Sequence, residues 1–247
     1  MGDLSAAPSN KSLGQINRQF WNDNMHIISQ QQWVRDLAKQ LVRNLQDNLD
    51  WVGVPKSTET SLKTKLSLLD YACGTGLITF ALLPWFSKIR GIDISDANVQ
   101  RYNQLARDQG VSPDVVRAIQ GDIRSPDSEM STEDFSGFNA IVISMALHHI
   151  DDPKSLLSHL YGRLRPGGHL LVVDWTPEHY GIEGSVANHA AVHTTGVDDF
   201  DKAAIVEMMS SAGLQDVGFF LAPERSSMGK EIGGERQMFF ARGKRLD

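Results

Sequence analysis

From Ile16 to about Leu49 the apolar residues fall on one helical face. Trp33, Leu37, Leu41, Leu45 and Leu49 recur at every fourth position, and Val34 and Ala38 widen the stripe. The pattern predicts a helical arm. Residues 1–12 before it are small and polar and predict a disordered tail, because they have little to bury. Gly53–Lys65 after it, rich in Ser, Thr and Lys and carrying Pro55, predicts a loop. Beyond that loop the period changes. The apolar runs Leu66–Tyr71, Lys88–Ile94, Val115–Ile119, Phe138–Ser144 and His169–Asp174 predict five strands. Helices are predicted between them, beginning near Leu77 and covering Asp96–Gln109 and Pro153–Leu164. The first should fail near Pro84, which lacks an N–H and clashes inside a helix. Gly110 and the run Arg165-Pro166-Gly167-Gly168 stop the other two. A last helix over Asp198–Ala212, capped by Gly213, precedes two strands, Leu214–Leu221 and Gln237–Arg242, with no helix between them.

Strands alternating with helices require right-handed crossovers and a mostly parallel sheet, so the fold class is α/β and doubly wound. The two terminal strands, joined by a loop alone, are expected to be antiparallel neighbours at one edge. The boundaries that follow are a tail over 1–12, a helical lid and linker over 13–65, and one α/β domain over 66–247 with an insertion at 175–199.

Composition narrows the function. A chain of 247 residues suits one large domain better than two independent cores. No apolar run reaches the length of a membrane span, and the polar N-terminus has no signal-peptide core. The single cysteine, Cys73, can form no intrachain disulfide and no Cys-rich zinc site; no metal is expected, and a cytoplasmic location is the simplest reading. Net charge is −6, with lysines and arginines scattered rather than striped. Nucleic acid recognition leans on clustered cations, so a small molecule is the expected partner and oligomeric state stays open.

Three acidic positions carry the chemistry. Leu69-Asp70-Tyr71-Ala72-Cys73-Gly74-Thr75-Gly76 runs a strand into a two-glycine turn and then a helix, where doubly wound sheets bind ligands. Glycines there let a ligand approach the backbone closely, although the same turn also serves a purely structural bend. Asp93 ends the second strand, 23 residues after Asp70. It suits either the hydroxyls of a ribose or the start of the next helix. Asp122, in Gly121-Asp122-Ile123, follows the third strand and suits either a turn or an adenine amino group, with Ile123 against the ring.

Together with Ala146-Leu147-His148-His149-Ile150-Asp151-Asp152-Pro153 and Leu164-Arg165-Pro166-Gly167-Gly168-His169-Leu170, this ordered series resembles the class I S-adenosylmethionine (SAM)-dependent methyltransferases, in particular the UbiE/COQ5-type small-molecule enzymes. The resemblance covers roughly residues 66–174. It implies a seven-stranded Rossmann-like sheet with an antiparallel strand near one edge. It also implies SAM as cofactor, with the methionine part at Asp70, Ala72, Gly74 and Gly76, the ribose at Asp93 beside Ile94, and the adenine at Asp122 and Ile123, with Ser144 close by. Phe20-Trp21 resembles the aromatic pair that opens a lid helix in such enzymes, and with Trp175 it would wall the substrate. His193, in the insertion, and His149 are the candidate bases, since a neutral imidazole suits an oxygen, nitrogen or sulfur nucleophile. Solvated or structural roles compete at both positions. Two other functions stay open: a non-catalytic SAM-binding regulatory or partner subunit, and a nicotinamide-dependent oxidoreductase. The latter is disfavoured by Thr79 at the third glycine position of a dinucleotide fingerprint.

Overall fold

The computed structural model describes residues 11–54, 66–125, 127, 129–177, 194–196, 200–228 and 234–247. The arm forms, but as three helices rather than one: α1 (Leu13–Ile28), α2 (Gln32–Asp47) and the short α3 (Leu49–Val52). Ser12 and Gln15 make a reciprocal capping box that starts α1. The break at Ser29–Gln31 contains neither glycine nor proline. There the N–H groups of Gln30 and Gln31 turn back to the carbonyls of Ile27 and Ile28. The turn redirects the chain so that Leu41, Leu45 and Leu49 join the core on one face of the sheet, beside Ile78, Leu82 and Phe86.

Five strands follow the predicted pattern: β1 (Ser67–Tyr71), β2 (Lys88–Asp93), β3 (Val116–Gln120), β4 (Phe138–Ser144) and β5 (Leu164–Thr176). Between them lie α4 (Leu77–Leu82), α5 (Asp96–Asp108) and α6 (Pro153–Tyr161). As Pro84 predicts, α4 gives way to a single tight turn over Leu83–Trp85. The last helix, α7 (Lys202–Ser211), is capped by the Asp201 side chain and precedes β6 (Gln215–Leu221), the two-residue β7 (Ser226–Ser227) and β8 (Glu235–Lys244). The main sheet runs in the order β3-β2-β1-β4-β5-β8-β6, and β7 pairs only with the start of β8. Neighbouring strands from β3 to β5 are parallel. β8 lies between β5 and β6, antiparallel to both.

β5 begins earlier than the Pro-Gly-Gly run suggests. Leu164 already pairs with Phe138, the register slips before Ala140 meets His169, and Gly167 and Gly168 exchange backbone hydrogen bonds with Arg245. Pro166 is tolerated because it sits at this irregularity. The second face of the sheet is covered by α6 and α7, whose Leu156, Leu157, Leu160, Ile205 and Met209 are buried. Among the described residues no helix is long and apolar enough to cross a membrane. The strand order reverses direction at β1, between β2 and β4, which opens a crevice at the carboxyl ends of these strands.

Candidate functional site

The crevice holds a cavity of about 350 Å³, lined by the β1–α4 turn, the ends of β2 and β4, and α1 and α2. Its floor is bent backbone. Gly74 and Gly76 take positive φ angles of 53° and 99°, and Ala72 and Met145, directly after β1 and β4, also turn left-handed, at 55° and 53°. Non-glycine residues in that region store strain and cluster at functional sites. At Gly76 a Cβ would come within 2.6 Å of the Phe80 ring, so glycine is required there for packing as well as for φ.

The three carboxylates behave differently. Asp70 is buried, and its Oδ2 accepts from the Thr79 amide at 3.1 Å and the Thr79 hydroxyl at 2.7 Å. Burial pushes its carboxyl up to about 7, against the pull of Thr79 and with the Asp93 charge adding to the rise. Asp93 is also buried, and burial raises it too, opposed by hydrogen bonds from Ser95, Gly74 and Asn98. Its Oδ2 accepts from the Gly74 N–H at 2.8 Å, so the β2 carboxylate holds the β1 turn in shape. Its Oδ1 accepts from the Ser95 N–H at 2.8 Å and from Asn98 at 3.3 Å. The helix-start role belongs to Ser95, whose hydroxyl caps α5. Three of the roughly four acceptor positions of Asp93 are therefore taken, the weakest by Asn98, itself on the cavity wall.

Asp122 lies under an arginine that the sequence reading missed. Arg124 reaches both carboxylate oxygens, with Nη2 at 2.8 Å, and its Nη1 bonds Asp151. The Tyr71 hydroxyl donates to Asp122 at 3.1 Å. Burial raises the Asp122 carboxyl, but the Arg124 hydrogen bonds outweigh it and hold the group below the usual carboxylate range. The Asp-x-Arg spacing was visible in the chain; the reach to Asp151 was not.

Of the residues expected at the cofactor, Asp70, Ala72, Gly74, Asp93, Ile94, Asp122 and Ser144 line the cavity. Gly76 shapes the turn behind it, and Ile123 is fully buried in the core rather than on the wall. Of the aromatic set, Trp21 and Trp175 line the cavity. Phe20 is buried beside Trp21, with its ring edge-on at 5.1 Å, and does not face the cavity. His149 lines it, with Nδ1 at 3.0 Å from the Thr194 carbonyl and its ring edge-on to Trp21. The Thr194 hydroxyl lies 3.1 Å from the same nitrogen, so Thr194 engages Nδ1 through both of its oxygens. His193 lies outside the described residues, as does most of the 175–199 insertion.

The arm is fastened over the cavity by two asparagines that its helical periodicity does not single out. The Asn17 amide donates to the carbonyls of Thr194 at 3.0 Å and His149 at 3.2 Å, while its oxygen accepts from the Trp21 indole. The Asn22 oxygen accepts from the Ser95 hydroxyl at 2.6 Å and the Ala97 amide at 3.2 Å. α1 thus bridges the β4 and β2 sides of the mouth. Asn17→Leu, equal in bulk but unable to hydrogen-bond, should lower stability by about 1–3 kcal/mol, since it leaves buried polar groups unmatched. Urea unfolding measures this; no change would show that α1 is held by apolar contact alone.

The turn, the acidic series and the cavity meet at the carboxyl ends of the strands of a Rossmann-like sheet. Comparison with known proteins places the chain in a family: its residues 33–218 match the methyltransferase domain, and it belongs to the class I SAM-dependent methyltransferases. It is 36% identical over 135 residues to an uncharacterised methyltransferase of Schizosaccharomyces pombe, covering 53% of this chain and 44% of that one. It is 27% identical over 112 residues to a ubiquinone biosynthesis O-methyltransferase of Coxiella burnetii, covering 45% and 44% respectively. The chain spans about half, or less, of the length of the curated relatives it matches. Among solved structures it is similar to a geranyl diphosphate methyltransferase bound to its diphosphate and sinefungin, with a TM-score of 0.68 at 16% identity over 95% of this chain and 100% of that one. A magnesium protoporphyrin IX methyltransferase of Synechocystis with bound SAH gives 0.66 at 14% identity over 95% and 100%. At such identities the likeness is one of fold.

Proposed function

We propose that this protein transfers a methyl group from SAM to oxygen, nitrogen or sulfur of a small organic molecule. The observation that carries the reading is the convergence of Asp70, the Gly74 backbone, Asp93 and Asp122 on one cavity that α1 and α2 also wall with apolar side chains. SAM, when bound, supplies an activated methyl on a sulfonium, and the protein's part is to align, dehydrate and deprotonate. The Ala72–Gly76 turn and Asp70 would receive the amino-acid end. Asp93 would take the ribose through its remaining acceptor position and through the place that Asn98 fills. Asp122, with Arg124, would close the adenine end beside Ile94. Trp21 and Trp175 would face the substrate, with proton removal falling to a histidine: His149 on this wall or His193.

Calorimetric titration with SAM and with NAD, followed by tritiated methyl transfer from SAM into small-molecule and macromolecular fractions of an extract, tests the reading. SAM binding and label in small molecules are expected. Binding without transfer would favour the non-catalytic reading, and label confined to protein or RNA would defeat the small-molecule claim.

Asp70 adds a pH signature. With its carboxyl at about 7, a ligand ammonium beside it favours the ionised form and releases a proton on binding. SAM affinity should therefore rise as pH increases from 6 toward about 7, and level off once Asp70 is ionised in the free protein. Asp70→Asn should flatten that rise, as measured by calorimetry across the range.

A further inference from the structure

The proposed transfer leaves one buried acid without a role. Asp174, on β5, is fully buried, and its carboxylate accepts three N–H groups. Oδ1 faces His148 Nδ1 at 2.6 Å and takes the Trp175 amide at 2.8 Å, while Oδ2 takes the His148 amide at 3.1 Å. His148 lines the cavity. With Nδ1 held by Asp174, Nε2 is the nitrogen left to the cavity, and the second carboxylate oxygen fixes the backbone that carries the ring. The His149 ring lies against the His148 ring at 4.1 Å, which restricts it further. A carboxylate so placed keeps the proton on Nδ1, leaves Nε2 basic, and stabilises the imidazolium that forms when Nε2 takes a proton. Such a dyad is useful only for an acceptor with a proton to lose.

The rest of the wall describes that acceptor's body. Trp21, Met25, Val34, Leu37, Trp175 and Met228 face the cavity, a surface of aromatic rings and adaptable thioethers. The one buried cation at this end, among the described residues, is Arg236, whose guanidinium lies 5.9 Å from the Trp175 ring and which also lines the cavity.

We propose that the acceptor is an apolar molecule carrying a weakly acidic hydroxyl of phenol type, with His148, in place of His149 or His193, as the catalytic base and Asp174 as its positioning residue. This rests on the methyltransferase reading above and narrows it. In the step, the hydroxyl proton passes to His148 Nε2, the oxygen forms a bond to the methyl carbon, and the carbon–sulfur bond breaks with its electron pair returning to sulfur. The imidazolium later releases its proton to solvent.

The test compares 1-naphthol with 2,4-dinitro-1-naphthol, which is already ionised at neutral pH, using tritiated SAM. Wild type should methylate 1-naphthol. His148→Gln should lose about a hundredfold on 1-naphthol but only about threefold on the dinitro compound, because general-base assistance matters only where a proton remains. Added imidazole should restore part of the first rate. Asp174→Asn should lower the 1-naphthol rate by about tenfold or more, through the wrong tautomer, with naphthol binding by fluorescence unchanged. Equal losses on both naphthols, without imidazole rescue, would make the pair a structural clamp and overturn the base assignment. SAM binding with no label on naphthols, or label on 2-naphthalenethiol alone, would overturn the acceptor class. Absence of SAM binding in the calorimeter would instead overturn the underlying reading.

Discussion

Replacing Asp93 by alanine is expected to weaken SAM binding by roughly 10- to 100-fold, the worth of one hydrogen bond to a charged group. The upper end is favoured by what else the carboxylate does. It holds the Gly74 N–H at 2.8 Å and the Ser95 N–H at 2.8 Å, so its removal loosens the β1 turn and the entry to α5 together. Loss of ribose contact and loss of the turn's shape then add in the same measurement. Asp93→Asn separates them: the amide oxygen can keep one of the two backbone donors, and affinity should fall by less. Calorimetry on variants with unchanged circular dichroism provides the comparison. Full affinity in a folded Asp93→Ala protein would remove this residue from the cofactor site.

The largest expected loss of stability lies away from the cavity. Arg90, on β2, has a side chain only 6% exposed, and it is paired with Asp134 through Nε at 2.5 Å and Nη2 at 3.0 Å. Lys88 and Arg117 reach the same carboxylate, each at 2.8 Å. Asp134→Ala removes the carboxylate on which three cations converge, leaving the buried Arg90 with backbone carbonyls alone and Arg117 with Glu129, and should destabilise the fold by about 3 kcal/mol, less than for a fully enclosed pair because Asp134 itself is partly solvated. Burial raises the Asp134 carboxyl, but the three cations outweigh it and hold it well below its ordinary value of 3.8. Its contribution is therefore present above that value and lost as pH falls through the lower folded value. The gap between wild type and variant in chemical unfolding should be widest near neutrality and narrow below pH 3.8. A constant gap would mean that Asp134 acts through packing rather than charge.

Much of this site was legible because its signals are local. Asp70–Gly76, Asp93 and Asp122 each close an apolar run, and the strand-end rule places all three along one edge of the sheet without any knowledge of side-chain contacts. The antiparallel pairing of the terminal strands followed from the missing helix between them. What was not legible depends on partners far apart in sequence. His148 and Asp174 are 26 residues apart, Arg90 and Asp134 are 44, and Asn17 and Thr194 are 177. No periodicity brings such residues together. The turn at Ser29–Gln31 was hidden for a different reason: the apolar stripe continues through it, and only the three-dimensional need to seat α1 across the mouth interrupts the helix. Phe20 and Trp21 show the same limit on a smaller scale, since adjacency in sequence said nothing about which ring would face inward.

The position of β8 has a consequence for how the molecule is assembled. Among the described residues, β6 pairs with β8 alone, and β5 receives on that side only β8. While the chain emerges, β6 is therefore made before the one strand that can hold it, and β5 carries a bare edge until residues 235–244 slide between the two. The parallel half, β3 to β5, can close early around its crossovers. The other half is a slot awaiting its insert, a long-range and entropically slow pairing. A nascent chain halted at this stage would present two open strand edges, one of them carrying Phe219 and Phe220, which makes this interval the one in which the protein is most exposed to mispairing.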